Sequence, residues 1–457
     1  MAERAQAALR AAAAHPTVAP AFVGALALTL FYAVLRDGGV EPKDWGACLI
    51  AVGALSAAWW AARRRNPLSL PHARVGLLLP ILMGVGALQV IPLPAAVVGI
   101  VSPARGELLT GAEPVMGGWR LATLSAAPAA SLEKLVSLAG YVLVVLLVLD
   151  ISSRLADYPW APVLPLLAIA VFEAVLGLVQ AYSASGGGIA HGTYVNRNHY
   201  SGLLEMCLPF AVMYGAAVLR RNRSRHRTPA GPALRASAAW ALAAVILLAI
   251  IHSLSRMGFI AALASSFLMG LAALRAGKRS RWRAWLPAAV LGAVVVLGFI
   301  FLPPDQLILR FGDIASTDEI SADTRLKVWG DTTRLISAYP LVGCGLGAYE
   351  SCLKRYKTAA LLNTVDFAHN DYLQLAAELG LPGLCLVLAV GAGLLASAWR
   401  TADRSAGADE RYRSLACIGA LAAISLHSFV DFNLYIPANA MTLAWIGGLA
   451  QSRAEVY

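Results

Sequence analysis

One imidazole and two guanidinium groups, His369, Arg197 and Arg256, are the side chains of this sequence best suited to taking up a proton beside an anion. Arg197 and Arg256 each sit hard against the end of a long apolar run, in connections too short to be ordinary soluble loops. Either one alone fits an arginine reaching up to headgroup phosphate, whereas two converging ones favour an anion site. His369 opens the segment His369-Asn370-Asp371-Tyr372-Leu373-Gln374, in which Asn370 and Asp371 are favourable residues for a first helical turn. The positive end of that helix disfavours imidazolium and keeps the ring able to accept a proton, while Asp371 opposes this. The competing reading is a capping histidine without chemistry, and the residues alone favour it.

These groups stand out because so little around them is polar. Of the 457 residues, 58% are hydrophobic and 14% charged, and the mean hydropathy of +0.65 lies outside the range of soluble domains. Runs long enough to cross a bilayer as helices recur at about 17–35, 45–62, 75–100, 131–150, 160–181, 199–219, 236–253, 257–274, 284–302, 380–399, 414–430 and 438–450. The expected fold is an all-α, polytopic transmembrane bundle of about twelve helices forming a single integral membrane domain over 1–457. The first run lacks a small-residue cleavage site and reads as a retained anchor.

Orientation follows from the basic connections. With both termini inside, Arg63, Arg64, Arg65 and Arg74, then Arg220, Arg221, Arg223, Arg225, Arg227 and Arg235, then Arg275, Lys278, Arg279, Arg281 and Arg283, and finally Arg400, Arg404, Arg411 and Arg413 all fall on the cytoplasmic side. The net charge of +11 is then mostly anchoring against anionic membrane lipid, and no nucleic-acid partner is expected. The same threading puts Arg197, Arg256 and His369 on the opposite face.

That face also carries the longest connection, 303–370, expected to be a helical cap between spans nine and ten. It has an amphipathic stretch from Arg325 to Ile336 containing Trp329, and a Gly-rich turn, Pro340-Leu341-Val342-Gly343-Cys344-Gly345-Leu346-Gly347. A second short helix bearing Lys354, Arg355 and Lys357 follows. The glycines read as turn geometry, since phosphate-cradling loops normally follow a strand. Cys344 and Cys352 share this loop, where a disulfide and a pair of thiols are both open; no cysteine spacing suggests zinc.

The outer Asn196-Arg197-Asn198, the Ser253-x-Ser255-Arg256 hinge, the Arg325-x-x-x-Trp329 helix, the Pro340 to Gly347 turn and the His369 to Gln374 motif together resemble the bacterial O-antigen ligase and O-antigen polymerase superfamily. The likeness covers 190–450 well; the first four or five spans share only hydropathy. It implies a membrane glycosyltransferase of the GT-C-like kind in the bacterial inner membrane, with its active site facing the periplasm. It would move a glycan from an undecaprenyl-pyrophosphate-linked donor to a hydroxyl on a glycan or lipid A-core acceptor. On this resemblance His369, Arg197 and Arg256 are catalytic, and Arg325, Asn196, Asn198, Asn370 and Asp371 bind substrate. No cofactor and no metal are expected; the outer loop has no Asp-x-Asp pair to hold a divalent ion beside phosphates. The later His427-Ser428-x-Val430-Asp431-Phe432-Asn433 motif resembles the exopolysaccharide branch and puts polymerisation slightly ahead of en bloc ligation. A polytopic transporter or flippase is the competing class, but carriers of the major-facilitator type place their long connection inside, between two similar halves.

Overall fold

Where hydrocarbon replaces water, each segment must satisfy its own backbone, and this chain does so almost wholly as helix. The structure, a computed structural model, describes residues 18–62, 70–71, 73–118, 120–155, 157–183, 188–224, 230–276, 322–358 and 365–452. The helices are α1 Val18–Leu35, α2 Pro42–Ala62, α3 Ala73–Val90, α4 Ala95–Val101, α5 Pro103–Met116, α6 Pro128–Arg154, α7 Leu164–Tyr182, α8 Arg197–Ser224, α9 Ala230–His252, α10 Arg256–Ala276, α11 Ala322–Ala338, α12 Tyr349–Tyr356, α13 Asp371–Arg404, α14 Ala408–His427 and α15 Pro437–Gln451. The two strands, Leu93–Pro94 and Leu121–Ala122, form one short antiparallel pair. The protein is an all-α, polytopic membrane protein: among the described residues eight helices are long and apolar enough to cross a membrane.

The expected third span, 75–100, is too long. Pro92 and Pro94 lack the amide hydrogens a continuing helix needs, so α3 ends at Val90. The apolar continuation becomes the seven-residue α4, which packs with α5 at the mouth of the bundle. The expected span at 284–302 and residues 303–321 of the expected cap lie outside the described residues.

Helix α8 is the centre of the fold, packed against α14, α9, α10, α7 and α15. Bonds between distant connections sort them onto two ends. At one end Val195 N donates to Asp37 Oδ1 at 2.7 Å, Ala190 N to His252 O at 2.9 Å, and Ala126 N to Cys344 O at 2.9 Å. At the other, the Trp160 indole donates to Asp409 at 3.0 Å and Arg413 to Ser452 Oγ at 2.8 Å and Pro159 O at 3.2 Å. Every one of these bonds joins connections that the basic-residue pattern assigns to the same side.

The Gly-rich turn seats the cap on α13. Gly343, Gly345 and Gly347 all have positive φ, and a Cβ at Gly343 would collide with the backbone of Glu378 and Leu379. The close approach lets Cys344 N reach Ala377 O at 2.8 Å and Gly345 N reach Glu378 O at 3.1 Å, beside the left-handed break at Gly380 (φ 72°). Turn geometry therefore accounts for these glycines. Cys344 and Cys352 are both buried free thiols.

Candidate active site

Helices α8, α10 and α13 all begin at the same end of the bundle, at Arg197, Arg256 and Asp371. The positive ends of three helix dipoles therefore gather at that end before any side chain is counted. Arg197 and Arg256 are the first residues of α8 and α10, whose first turns touch: a Cβ on Gly258 would strike Ser201. Asn196 Oδ1 accepts from Asn198 N at 2.8 Å, securing the start of α8, and its amide lies 3.5 Å from His199 Nε2.

The helix cap after the His369 bend is Asn370, not His369. Asn370 has extended backbone (φ −164°, ψ 106°), and its side chain accepts from Leu373 N at 3.0 Å. His369, one residue earlier, adopts the left-handed φ of 50° and turns its ring onto Phe432, edge to face, with centroids 4.9 Å apart. A left-handed conformation in a residue other than glycine costs about 1 kcal/mol or more, and such strain gathers at functional sites. Among the described residues three non-glycine positions have positive φ: Asp37, Leu254 and His369. All three lie at this end, and Leu254 sits two residues before Arg256.

Asp371 is fully buried and accepts from Ser428 Oγ at 2.7 Å and from Leu434 N at 3.3 Å, while its own amide donates to Ser428 O and Asp431 O. Asn370 and Asp371 thus bind the start of α13 to the turn between α14 and α15. The cap reaches the same place through Trp329, whose indole donates to Ala368 O at 2.9 Å. Arg325 lies one turn earlier on the same face of α11. Arg197, Arg256, His369 and Arg325 therefore belong to elements that meet at one end, with Phe432 between the α8 and α13 starts.

Several groups at this end were not singled out in the sequence as site residues. His199, two residues after Arg197, packs edge-on against Phe432 at 4.6 Å and places Nε2 3.6 Å from Asp431 Oδ1. Phe432 is stacked flat on Phe367 at 4.2 Å. Burial pushes the Asp431 carboxyl up, but the facing His199 and His427 rings and the Phe432 amide outweigh it and hold the group well below the ordinary carboxylate range. Deeper, His427 Nδ1 faces both oxygens of Glu205, at 3.1 and 3.0 Å. The signal for Glu205 and His427 was present, since ionisable residues within apolar runs are rare and costly. Among the described residues no three His, Cys, Asp or Glu side chains converge in metal-ligating geometry.

Residues 241–388 match the sequence model of the family described as O-antigen ligase. The match supports membership of the O-antigen ligase and polymerase superfamily. It spans Arg256, the cap and His369, and leaves Arg197 and the 427–433 turn outside. No curated protein matches the chain.

Proposed function

We propose that this superfamily member is a glycosyltransferase that moves a glycan from undecaprenyl pyrophosphate to an acceptor hydroxyl at the periplasmic face of the inner membrane. The observation that carries the reading is His369. Its cap role is filled by Asn370, its backbone is strained, and its ring stands at the end where the Arg197 and Arg256 helices begin.

In the transfer the acceptor oxygen attacks the anomeric carbon as its proton passes to the His369 imidazole. The new carbon–oxygen bond forms while the bond from that carbon to the pyrophosphate oxygen breaks, and undecaprenyl pyrophosphate leaves with the electron pair. Arg197 and Arg256, with the N-termini of α8 and α10 behind them, neutralise the charge growing on the leaving group. Arg325, Asn196 and Asn198 line the donor and acceptor sites, and Asn370 and Asp371 hold the His369 bend.

Polymerisation of surface-polysaccharide repeat units is favoured slightly by the His427 to Asn433 motif. En bloc ligation to lipid A core is the second reading, favoured by the family description itself. The polysaccharide profile of a deletion strain separates them. Polymerase loss leaves single repeat units, whereas ligase loss leaves lipid-linked polymer that never reaches the core; an unchanged profile overturns both.

A further inference from the structure

Glu205 lies eight residues inside α8 and His427 closes α14, and both side chains are essentially excluded from solvent. Ionisable groups at such depth are expensive, and replacing a buried pair by apolar residues of similar size is often neutral or stabilising. Packing alone gives no reason for this pair. What distinguishes it is its continuation toward the mouth of the bundle. His427 presents Nδ1 to Glu205 and points Nε2 at Asp431 Oδ2, 3.7 Å away. That gap is too long for a hydrogen bond, and both atoms are buried without any other partner. Asp431 in turn accepts from Phe432 N at 2.9 Å and faces His199, while Phe432 supports the His369 ring.

We propose that Glu205 and His427 are positioning residues for transfer: through Asp431 they set the place of Phe432, and with it the direction in which His369 faces the acceptor. The inference rests on the reading of His369 as the proton acceptor. Each step runs through a named contact: carboxylate to imidazole, imidazole to Asp431, Asp431 to the Phe432 amide, and ring to ring. Asp371, His199 and Asp431 are the other charged or titratable groups facing His427 or Asp431, and the same turn carries their bonds.

The test uses purified full-length protein with an undecaprenyl-pyrophosphate-linked repeat unit as donor and acceptor. Transfer by the wild-type protein and its loss in His369→Asn test the proposed function itself. Glu205→Gln and His427→Asn test the present inference, by kcat, by KM for the donor and by melting temperature. Each is expected to lower kcat about tenfold to a hundredfold, the scale of a small misplacement, while KM stays within about twofold. The loss should vanish when Glu205→Gln is added to His369→Asn, because the pair acts through that ring. If a single variant fails to fold, the double variant Glu205→Leu with His427→Leu keeps the test open, since it removes both charges together. Wild-type kcat in a folded single or double variant overturns the proposal, as does an equal loss with and without His369.

Discussion

The two ends of the bundle both bury charge, but they do so in different ways. At the end away from the candidate site, Asp150 accepts from the Trp59 indole at 2.7 Å and from Arg154 at 3.0 Å, and Arg413 reaches the carbonyls of Pro159 and Ser452. Among the described residues of that end no residue other than glycine has a positive φ. At the site end, His369, Leu254 and Asp37 are left-handed, and α8, α10 and α13 begin there. Buried charge is therefore common to both ends and does not distinguish them. On the proposed function, strained backbone beside helix N-termini and arginines is what sets the site end apart, since such strain persists only where the surrounding structure holds it.

The largest effect is expected at His369. His369→Asn is expected to slow transfer by at least about 100-fold, the lower end for loss of a general base, with little change in melting temperature. Transfer at near wild-type rate by purified His369→Asn protein would remove the catalytic assignment. Acidification should also slow the wild-type enzyme, because a protonated imidazole has no lone pair to offer.

Arg197→Lys and Arg256→Lys come next. A point-charge ammonium replaces a bidentate guanidinium poorly, so each variant should lose about 10-fold to 100-fold in kcat while inserting normally. Full turnover in both would assign the pair to headgroup anchoring. At the opposite end the expectation reverses. Asp150→Asn should cost about 1–3 kcal/mol of stability, the scale of a compromised buried charge-assisted bond, and leave the kcat of folded protein unchanged. A kcat effect there would erase the distinction between the ends.

Acid tolerance should also depend on the site end. The Asp431 carboxyl is held below its ordinary value in the folded protein, so it stabilises the fold above the unfolded value of about 3.9. That contribution is lost as pH falls through the lower folded value. Melting of wild-type protein in detergent should decline over that acid range, and Asp431→Asn should have lost the contribution already at neutral pH. The smallest expected effect is at Leu254: glycine there relieves a left-handed side chain but loosens the unfolded chain, so Leu254→Gly should shift stability by no more than about 1 kcal/mol. A larger loss would show that the Leu254 side chain, rather than its backbone, holds the hinge before Arg256.

Much of this protein is legible in its residue order. Long apolar runs without charge have one stable answer in a bilayer, and the arginines between them set which ends lie together, so the helices and their two-ended sorting follow from local composition. The break after Val90 was legible too, in Pro92 and Pro94, but hydropathy averaged over a window passes across it. The motifs bearing Arg197, Arg256 and His369 also stand in the sequence, because a helix start is a local event. What only the tertiary structure decided is which of those residues are committed to holding the fold. Asn370 caps α13 and Asp371 is consumed by Ser428 and Leu434, sixty or so positions away. The partners of Glu205 and Asp431 lie 222 positions along the chain or on another helix. Such pairings depend on which faces of α8, α13 and α14 meet, and that is set by packing of the whole bundle rather than by any one segment.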